Sequence, residues 1–263
     1  MSLIKDLKAT GFNFKKGLGQ NFIADENFLQ SVVAGLGLRS EDRVVEVGTG
    51  AGTLTRVLAR NFAGVVTYEV DESLRDVLGQ QFRGFDNIDL RFEDALRADI
   101  DPEIVIANIP YYITTPLIMK FMKSPSCRMI CVLIQDDVAK RIVAKPGGKE
   151  YGALSVAVQS WGDAKIVKRV PRGMFVPVPG VDSCFIVIVR KNDDAIQIDE
   201  RLLKGLFAAR RKTIANGLKQ LGIDLGVLDE LGIDPQLRPE NLTVQQFIAV
   251  SDKIRQIKNT EKI

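Results

Sequence analysis

Two short segments of this 263-residue chain combine side chains and main-chain geometry that can do chemistry. One is Asn108-Ile109-Pro110-Tyr111-Tyr112, delivered by the apolar run Ile104-Val105-Ile106-Ala107. An exocyclic amine such as adenine's is a poor nucleophile, because its lone pair is delocalised into the ring. An asparagine side-chain oxygen and the next main-chain carbonyl, held rigid by proline, can accept both amine hydrogens and favour a pyramidal nitrogen aimed at an electrophile. Tyr111 can stack on such a base once the base has left its own stack. Taken alone, the same residues also make an ordinary Asn-x-Pro turn packed by two tyrosines.

The other segment is Gly48-Thr49-Gly50-Ala51-Gly52, which follows the strand-like run Arg43-Val44-Val45-Glu46-Val47. Glycines there let the chain turn tightly and let a ligand approach the backbone, while the following helix N-terminus offers unpaired amides. The dinucleotide fingerprint G-x-G-x-x-G would need glycine at Thr53. G-x-G-x-G after an acid, here Glu46, is instead the pattern of S-adenosylmethionine enzymes. A tight strand-to-helix turn without a ligand also fits. Glu69 ends the next strand, about 20 residues beyond the glycine turn, where a carboxylate accepts hydrogen bonds from both hydroxyls of a ribose. An exposed strand-end acid is its plainer reading.

The composition narrows the chemistry. The chain has no histidine, which removes Ser-His-Asp and Cys-His nucleophile pairs, imidazole bases and histidine-bound metals. Cys127, Cys131 and Cys184 complete no disulfide framework or zinc set and read as core thiols; no metal is expected. No apolar run approaches the roughly 18 residues of a membrane span, and Met1 to Asp6 lack the apolar core of a signal peptide, so a cytoplasmic location is the expectation.

The elements that must position these residues follow from periodicity. Strand runs at 43–47, 65–70, 88–92, 104–107 and 129–135 alternate with helical patterns at 54–62 and 74–82, as in βαβ units on a mostly parallel sheet. A helix over 153–160, a basic strand over 165–170 and a strand over 185–189 extend the series. Beyond the polar linker Lys191-Asn192-Asp193-Asp194 only helices are predicted. Asp199 caps one carrying apolar residues at helical spacing from Leu202 to Leu221, and Thr243-Val244-Gln245-Gln246 is a capping box for another. The fold class is therefore α/β, a Rossmann-like, mostly parallel sheet over 1–190, with a small all-helical domain over 195–263.

Charge is uneven although the net value is only +3. Asn61 to Glu103 holds eleven acids against four bases, and Lys140 to Arg172 holds eight bases against two acids. A protein gripping a polyanion on one side shows such a division, and so does ordinary solvated surface.

Five ordered blocks resemble one family: Lys15-Lys16-Gly17-Leu18-Gly19-Gln20-Asn21-Phe22, Glu46 to Thr55, Asn108-Ile109-Pro110-Tyr111, Phe175-Val176-Pro177-Val178-Pro179-Gly180-Val181-Asp182-Ser183, and Arg210-Arg211-Lys212-Thr213. They are similar to the bacterial small-subunit rRNA adenine dimethyltransferases, the KsgA family. The resemblance implies that the sheet is an S-adenosylmethionine-dependent methyltransferase domain, and it implies dimethylation of two adjacent adenosines near the 3′ end of 16S rRNA, at N6, with S-adenosylmethionine as cofactor and a role in small-subunit biogenesis. Residues 1–24 would contact cofactor and RNA. Gln20, Asn21 and the backbone of Ile23 would close over the cofactor's methionine end, against Gly48 and Gly50. Glu69 would hold its ribose, Asp94 its adenine amine, and Asn108 would face both cofactor and substrate. Asn108 with Ile109 and Pro110 would orient the target amine, with Tyr111 and Phe175 stacking on the flipped base. Lys15, Lys16, Lys140, Arg141, Lys149, Arg210, Arg211 and Lys212 would meet RNA phosphates, which position RNA without reading its sequence. A monomer is expected.

Two departures stand out: Thr49 where many relatives have proline, and Val178-Pro179-Gly180 where proline-rich and basic versions are usual. The alternatives are the related macrolide-resistance methyltransferases acting on 23S rRNA, and a mainly non-catalytic assembly or transcription factor.

Overall fold

A computed structural model describes residues 12–191 and 198–260. Its described residues form two compact units. One comprises residues 12–136 and 165–189, the other 137–164, 190–191 and 198–260. Most of the linker expected at 191–194 lies outside the described residues.

The first unit is built on a sheet of strands β2 (Arg43–Val47), β3 (Gly64–Glu69), β4 (Ile88–Phe92), β5 (Ile104–Asn108), β6 (Met129–Gln135), β7 (Gly162–Val170) and β9 (Ser183–Arg190), in the order β4-β3-β2-β5-β6-β9-β7. A two-stranded sheet pairs β1 (Phe22–Ile23) antiparallel with β8 (Phe175–Val176). β2 runs parallel to β3 and β5, β3 to β4, and β5 to β6, while β9 returns antiparallel beside β6. Parallel strands covered on both faces need continuous apolar runs, and Ile104 to Ala107 and Ile130 to Ile134 are wholly buried. Helices α1 (Glu26–Ala34) and α2 (Thr53–Asn61) set Leu29, Val32, Val57 and Leu58 into a core with Val44, Ile106, Leu133 and Phe185. Helix α3 (Arg75–Gln81) follows β3, and α4 (Thr114–Lys123) joins β5 to β6.

This order has a consequence for binding. The chain moves outward from β2 through β3 to β4, then returns to the other side of β2 with β5. A crevice opens outside the carboxyl ends of two such diverging strands. Both chemistry-bearing segments leave the sheet there, one after β2 and the other after β5.

The second unit is helical: α5 (Asp136–Ile142, its first residue shared with the first unit), α6 (Ala153–Trp161), α7 (Glu200–Ala208), α8 (Ile214–Gln220), α9 (Gly226–Glu230) and α10 (Val244–Thr260). It is discontinuous in sequence, unlike the single division near residue 190 read from the sequence. The reason is packing: α6 lies against α7 and α10, and Tyr151, Phe207 and Phe247 form a ring cluster with centroids 6.3 and 5.6 Å apart. The single apolar run from Leu202 to Leu221 is also two helices. Thr213 Oγ1 accepts the amide of Asn216 and so starts α8, and the preceding turn is held by a Lys212 amide bonded to the Ala209 carbonyl. The capping box at Thr243 forms as expected, with reciprocal bonds of 2.9 and 3.2 Å to Gln246.

Candidate active site

The glycine turn is shaped by what crowds it. Gly48 has φ +82°, and a Cβ there would stand 3.3 Å from the main-chain oxygen of Asn108. A side chain would therefore push apart the two segments that the switch point brings together. At Gly50, φ is +54° and a Cβ would meet the Phe22 ring at 2.7 Å. The turn is also held from beneath. Glu46, fully buried, accepts hydrogen bonds on one oxygen from Thr55 (2.6 Å) and Thr67 (2.7 Å), and Thr67 shares a 2.7 Å bond with Thr49. Thr49 thus ties the turn to β3. Burial pushes the Glu46 carboxyl up to about 8, so it is protonated at neutral pH.

Glu69 is the second anchor. One carboxylate oxygen accepts the Gly50 amide at 2.8 Å, and the other accepts the amides of Val70 and Asp71, both at 2.8 Å. Burial raises its pKa, although these three amides pull the other way. A carboxylate has about four lone-pair sites, so acceptor capacity remains toward the cleft that Glu69 lines. Asp94 lies on the loop after β4. Its Oδ1 accepts the Leu96 amide at 2.9 Å, and its carbonyl accepts the amides of Arg97 and Ala98, a tight turn that presents the acid to the same cleft.

Asn108 ends β5. Its side-chain amide donates to the main-chain carbonyl of Asn21 at 2.9 Å. That bond uses the NH2 group and leaves Oδ1 as an acceptor without a protein donor among the described residues. Pro110 follows, and the hydroxyl of Tyr111 bonds Ser183 Oγ at 2.7 Å, which fixes the ring beside the asparagine. Burial raises the Tyr111 pKa, partly offset by Ser183.

The cleft encloses about 890 Å³ when its open mouth is included. Ten residues expected from sequence meet on its wall: Gln20 and Asn21 from the N-terminal segment, Gly48, Gly50, Glu69 and Asp94 from the first half of the sheet, and Asn108 to Tyr111 from β5 and its turn. Two do not. Ile23 and Phe175 pair across β1 and β8 and pack in the core, Phe175 at 1% exposure, although Ile23, expected to act through its backbone, also lines a smaller hollow with Gly48, Gly50 and Asn108. The sequence reading passed over Tyr112, which lines the cleft at 59% exposure, and Tyr68, buried in its floor. Adjacency to Tyr111 was the available signal for the first.

The sequence matches the ribosomal RNA adenine dimethylase family over residues 11–256. The chain belongs to that family. It is 41% identical over 272 residues to the ribosomal RNA small subunit methyltransferase A of Shouchella clausii, covering 94% of this chain and 92% of that one. It is 39% identical to the protein of the same name from Enterococcus faecalis, covering 96% and 94%. The fold is similar to a dimethyladenosine transferase from Plasmodium falciparum, with TM-score 0.79, 23% identity and 89% and 98% of the two chains covered. It is also similar to the 23S rRNA methyltransferase ErmE, with TM-score 0.70, 23% identity and 89% and 100% covered.

As a member of the ribosomal RNA adenine dimethylase family the chain is an rRNA-modifying methyltransferase, and its cofactor is S-adenosylmethionine. The cleft residues fit that group. A buried carboxylate with spare acceptor capacity suits a ribose diol, a second acid suits an aminopurine edge, and glycines at φ +82° and +54° leave the backbone open to a sulfonium-bearing chain. Among the described residues no group of three or more His, Cys, Asp or Glu could hold a metal, and no helix is long and apolar enough to cross a membrane.

The expected RNA-contacting cations are differently engaged. The Lys15 ammonium bonds Asp71 at 2.5 Å and Ser73 at 3.0 Å, and Gln20 bonds the other oxygen of Asp71 at 2.8 Å. Burial of Asp71 is outweighed by these donors, so its pKa is lowered. Lys15 and Gln20 thus fasten the N-terminal segment beside the Glu69 turn. The Lys16 side chain lies outside the described residues. Arg210 is half-buried, donates to the carbonyls of Lys149 (2.7 Å) and Gly148 (3.3 Å), and pairs with Glu240. Together with a 2.7 Å bond from the Gly147 amide to the Glu240 carbonyl, it holds down the loop from Lys145 to Lys149. Arg141, Lys149, Arg211 and Lys212 are exposed, and Lys140 lies 3.5 Å from Asp137.

Proposed function

We propose that this dimethyltransferase adds two methyl groups to N6 of each of two adjacent adenosines near the 3′ end of 16S rRNA, within the small ribosomal subunit and as a step of its biogenesis. The relatives that match over nearly their whole length at 36–41% identity carry the small-subunit name, which supports this substrate over 23S rRNA. The observation that carries the mechanism is the Asn108 side chain, which lines the cleft with its NH2 donating to Asn21 and its oxygen left without a donor among the described residues.

Bound S-adenosylmethionine supplies an electrophilic methyl group on a sulfonium. In our reading Glu69 holds the ribose, Asp94 the adenine amine, and Gly48, Gly50 and Asn21 flank the methionine end. Asn108 Oδ1 and the Ile109 carbonyl accept the two hydrogens of the target amine in the first transfer and the one that remains in the second, and each transfer gives up one of these protons to water. This acceptance withdraws the nitrogen lone pair from the ring and aligns it for attack, a gain made in the transition state. Tyr111 and Tyr112 cover the flipped base. No imidazole is required, which suits a chain without histidine. Arg141, Lys149, Arg211 and Lys212 meet phosphates, and the protein acts as a monomer.

The test is to incubate the protein with unmethylated small subunits and labelled cofactor and to map dimethyladenosine. Two adjacent modified adenosines near the 3′ end of 16S rRNA are expected; label confined to 23S rRNA overturns the substrate assignment.

A further inference from the structure

The wall that carries Asp94 is a loop without regular structure between β4 and β5, yet it must hold one shape to read a purine edge. Within the loop only the Asp94 turn supplies internal hydrogen bonds. The carbonyls of Ala95, Leu96 and Ala98 all turn to one cation. Lys120 Nζ donates to Ala95 at 2.7 Å and to Leu96 at 3.3 Å, and it also bonds Ala98. An ammonium has three N–H donors, and three main-chain oxygens take them. Lys120 is half-buried, and burial lowers its pKa against the pull of Asp99 and Asp94. The loop is fastened a second time, to the turn that follows α4, where Ser126 Oγ bonds Asp101 at 2.7 Å and Ser124 bonds the same carboxylate.

Lys120 sits on α4, the helix that begins directly after the Asn108 to Tyr112 turn. Ala95 and Leu96, whose carbonyls it gathers, line the cleft beside Asp94. A lysine here touches no ligand, and its action on one is through the main chain.

We propose that Lys120 is a positioning residue that sets the cofactor's base specificity, by holding the 94–98 wall in the shape in which Asp94 meets an exocyclic amine. The proposal rests on the reading of Asp94 as the acceptor of that amine. Without the ammonium, three carbonyls in the wall lose their donor and the loop relaxes toward water. The wall then loses its distinction between a purine with an amine at the six position and one with a carbonyl.

The test uses the full chain and calorimetric binding of two probes, S-adenosylhomocysteine and S-inosylhomocysteine, which differ in that one group. Lys120→Met keeps the apolar stem and removes the donors; Asp94→Ala is the reference for the reading beneath. The expected result for Lys120→Met is about tenfold weaker binding of the adenosyl probe with little change for the inosyl probe, so that the preference narrows. A purely structural staple would weaken both probes equally, and that result overturns the proposal. Should Lys120→Met not fold, Lys120→Gln, with fewer donors on a shorter stem, is measured for the same narrowing. If Asp94→Ala narrows the preference and the Lys120 variants do not, the proposal fails alone. If Asp94→Ala leaves the preference unchanged, the Asp94 reading fails and the proposal with it.

Discussion

Replacing Glu46 by glutamine separates the support of the glycine turn from the cleft itself. Glu46 is fully buried, receives two threonine hydroxyls on one oxygen, and has no partner among the described residues on the other. Its pKa moves from the reference value 4.5 to about 8, chiefly through burial, with the Glu69 charge adding in the same direction. A folded-state value above the unfolded one means that the folded protein holds the proton more tightly. The stabilisation is therefore complete below pH 4.5 and is lost as pH rises through about 8. A gap of about 3.5 pH units at 1.36 kcal/mol each amounts to about 5 kcal/mol. Glu46→Gln keeps the shape of the protonated acid and cannot ionise. The stability of the wild type relative to Glu46→Gln should accordingly fall by about 1.4 kcal/mol for each pH unit between roughly 5 and 8, then level off. Denaturant unfolding of both proteins at four pH values, followed by circular dichroism, measures this difference, and other titrating groups cancel in it. The single tryptophan, Trp161, is not the probe of choice, because it lies in the helical unit and not in the sheet unit. Parallel stability profiles for the two proteins would refute the claim that Glu46 is a protonated support.

Asp94→Ala should weaken S-adenosylmethionine binding by about 1–3 kcal/mol in calorimetry. Glu69→Ala should do the same and also lower the melting temperature, since the amides of Gly50, Val70 and Asp71 lose their acceptor. Arg211→Ala with Lys212→Ala should reduce the slope of log affinity against log salt for small-subunit RNA by roughly 1 to 2, while leaving cofactor affinity unchanged. Arg210→Ala should instead lower the melting temperature of the helical unit, because its guanidinium serves Glu240 and two loop carbonyls. Gly50→Ala should abolish cofactor binding measured directly, since its methyl group would enter the Phe22 ring.

What could be read from the sequence was what neighbouring residues determine together. Ile88–Phe92 and Met129–Gln135 are strands with the ends their apolar runs suggest. Asn108 to Tyr111 was legible because four consecutive residues supply both a rigid turn and the groups it presents. The glycine turn was legible for the same reason. The roles of Lys15, Lys120 and Arg210 were not, because each depends on partners 22 to 62 residues away. A lysine that gathers carbonyls has the same letter as one that meets phosphate. The break between α7 and α8 was hidden because apolar spacing continues across it, and only Thr213 hinted at a new start. Phe175 sits in a motif beside polar and turn residues, yet its strand pairs with β1 and carries the ring into the core.

The account turns on Asn108 as the residue that prepares the target amine, and single-turnover methyl transfer with Asn108→Ala tests it most directly. With cofactor-loaded enzyme on unmethylated small subunits, transfer should slow by about 10²- to 10³-fold, the cost of losing one pre-aligned transition-state hydrogen bond. Subunit affinity measured in the same samples should stay near that of the wild type. Near wild-type transfer, or a loss explained wholly by weaker RNA binding, would contradict the assignment.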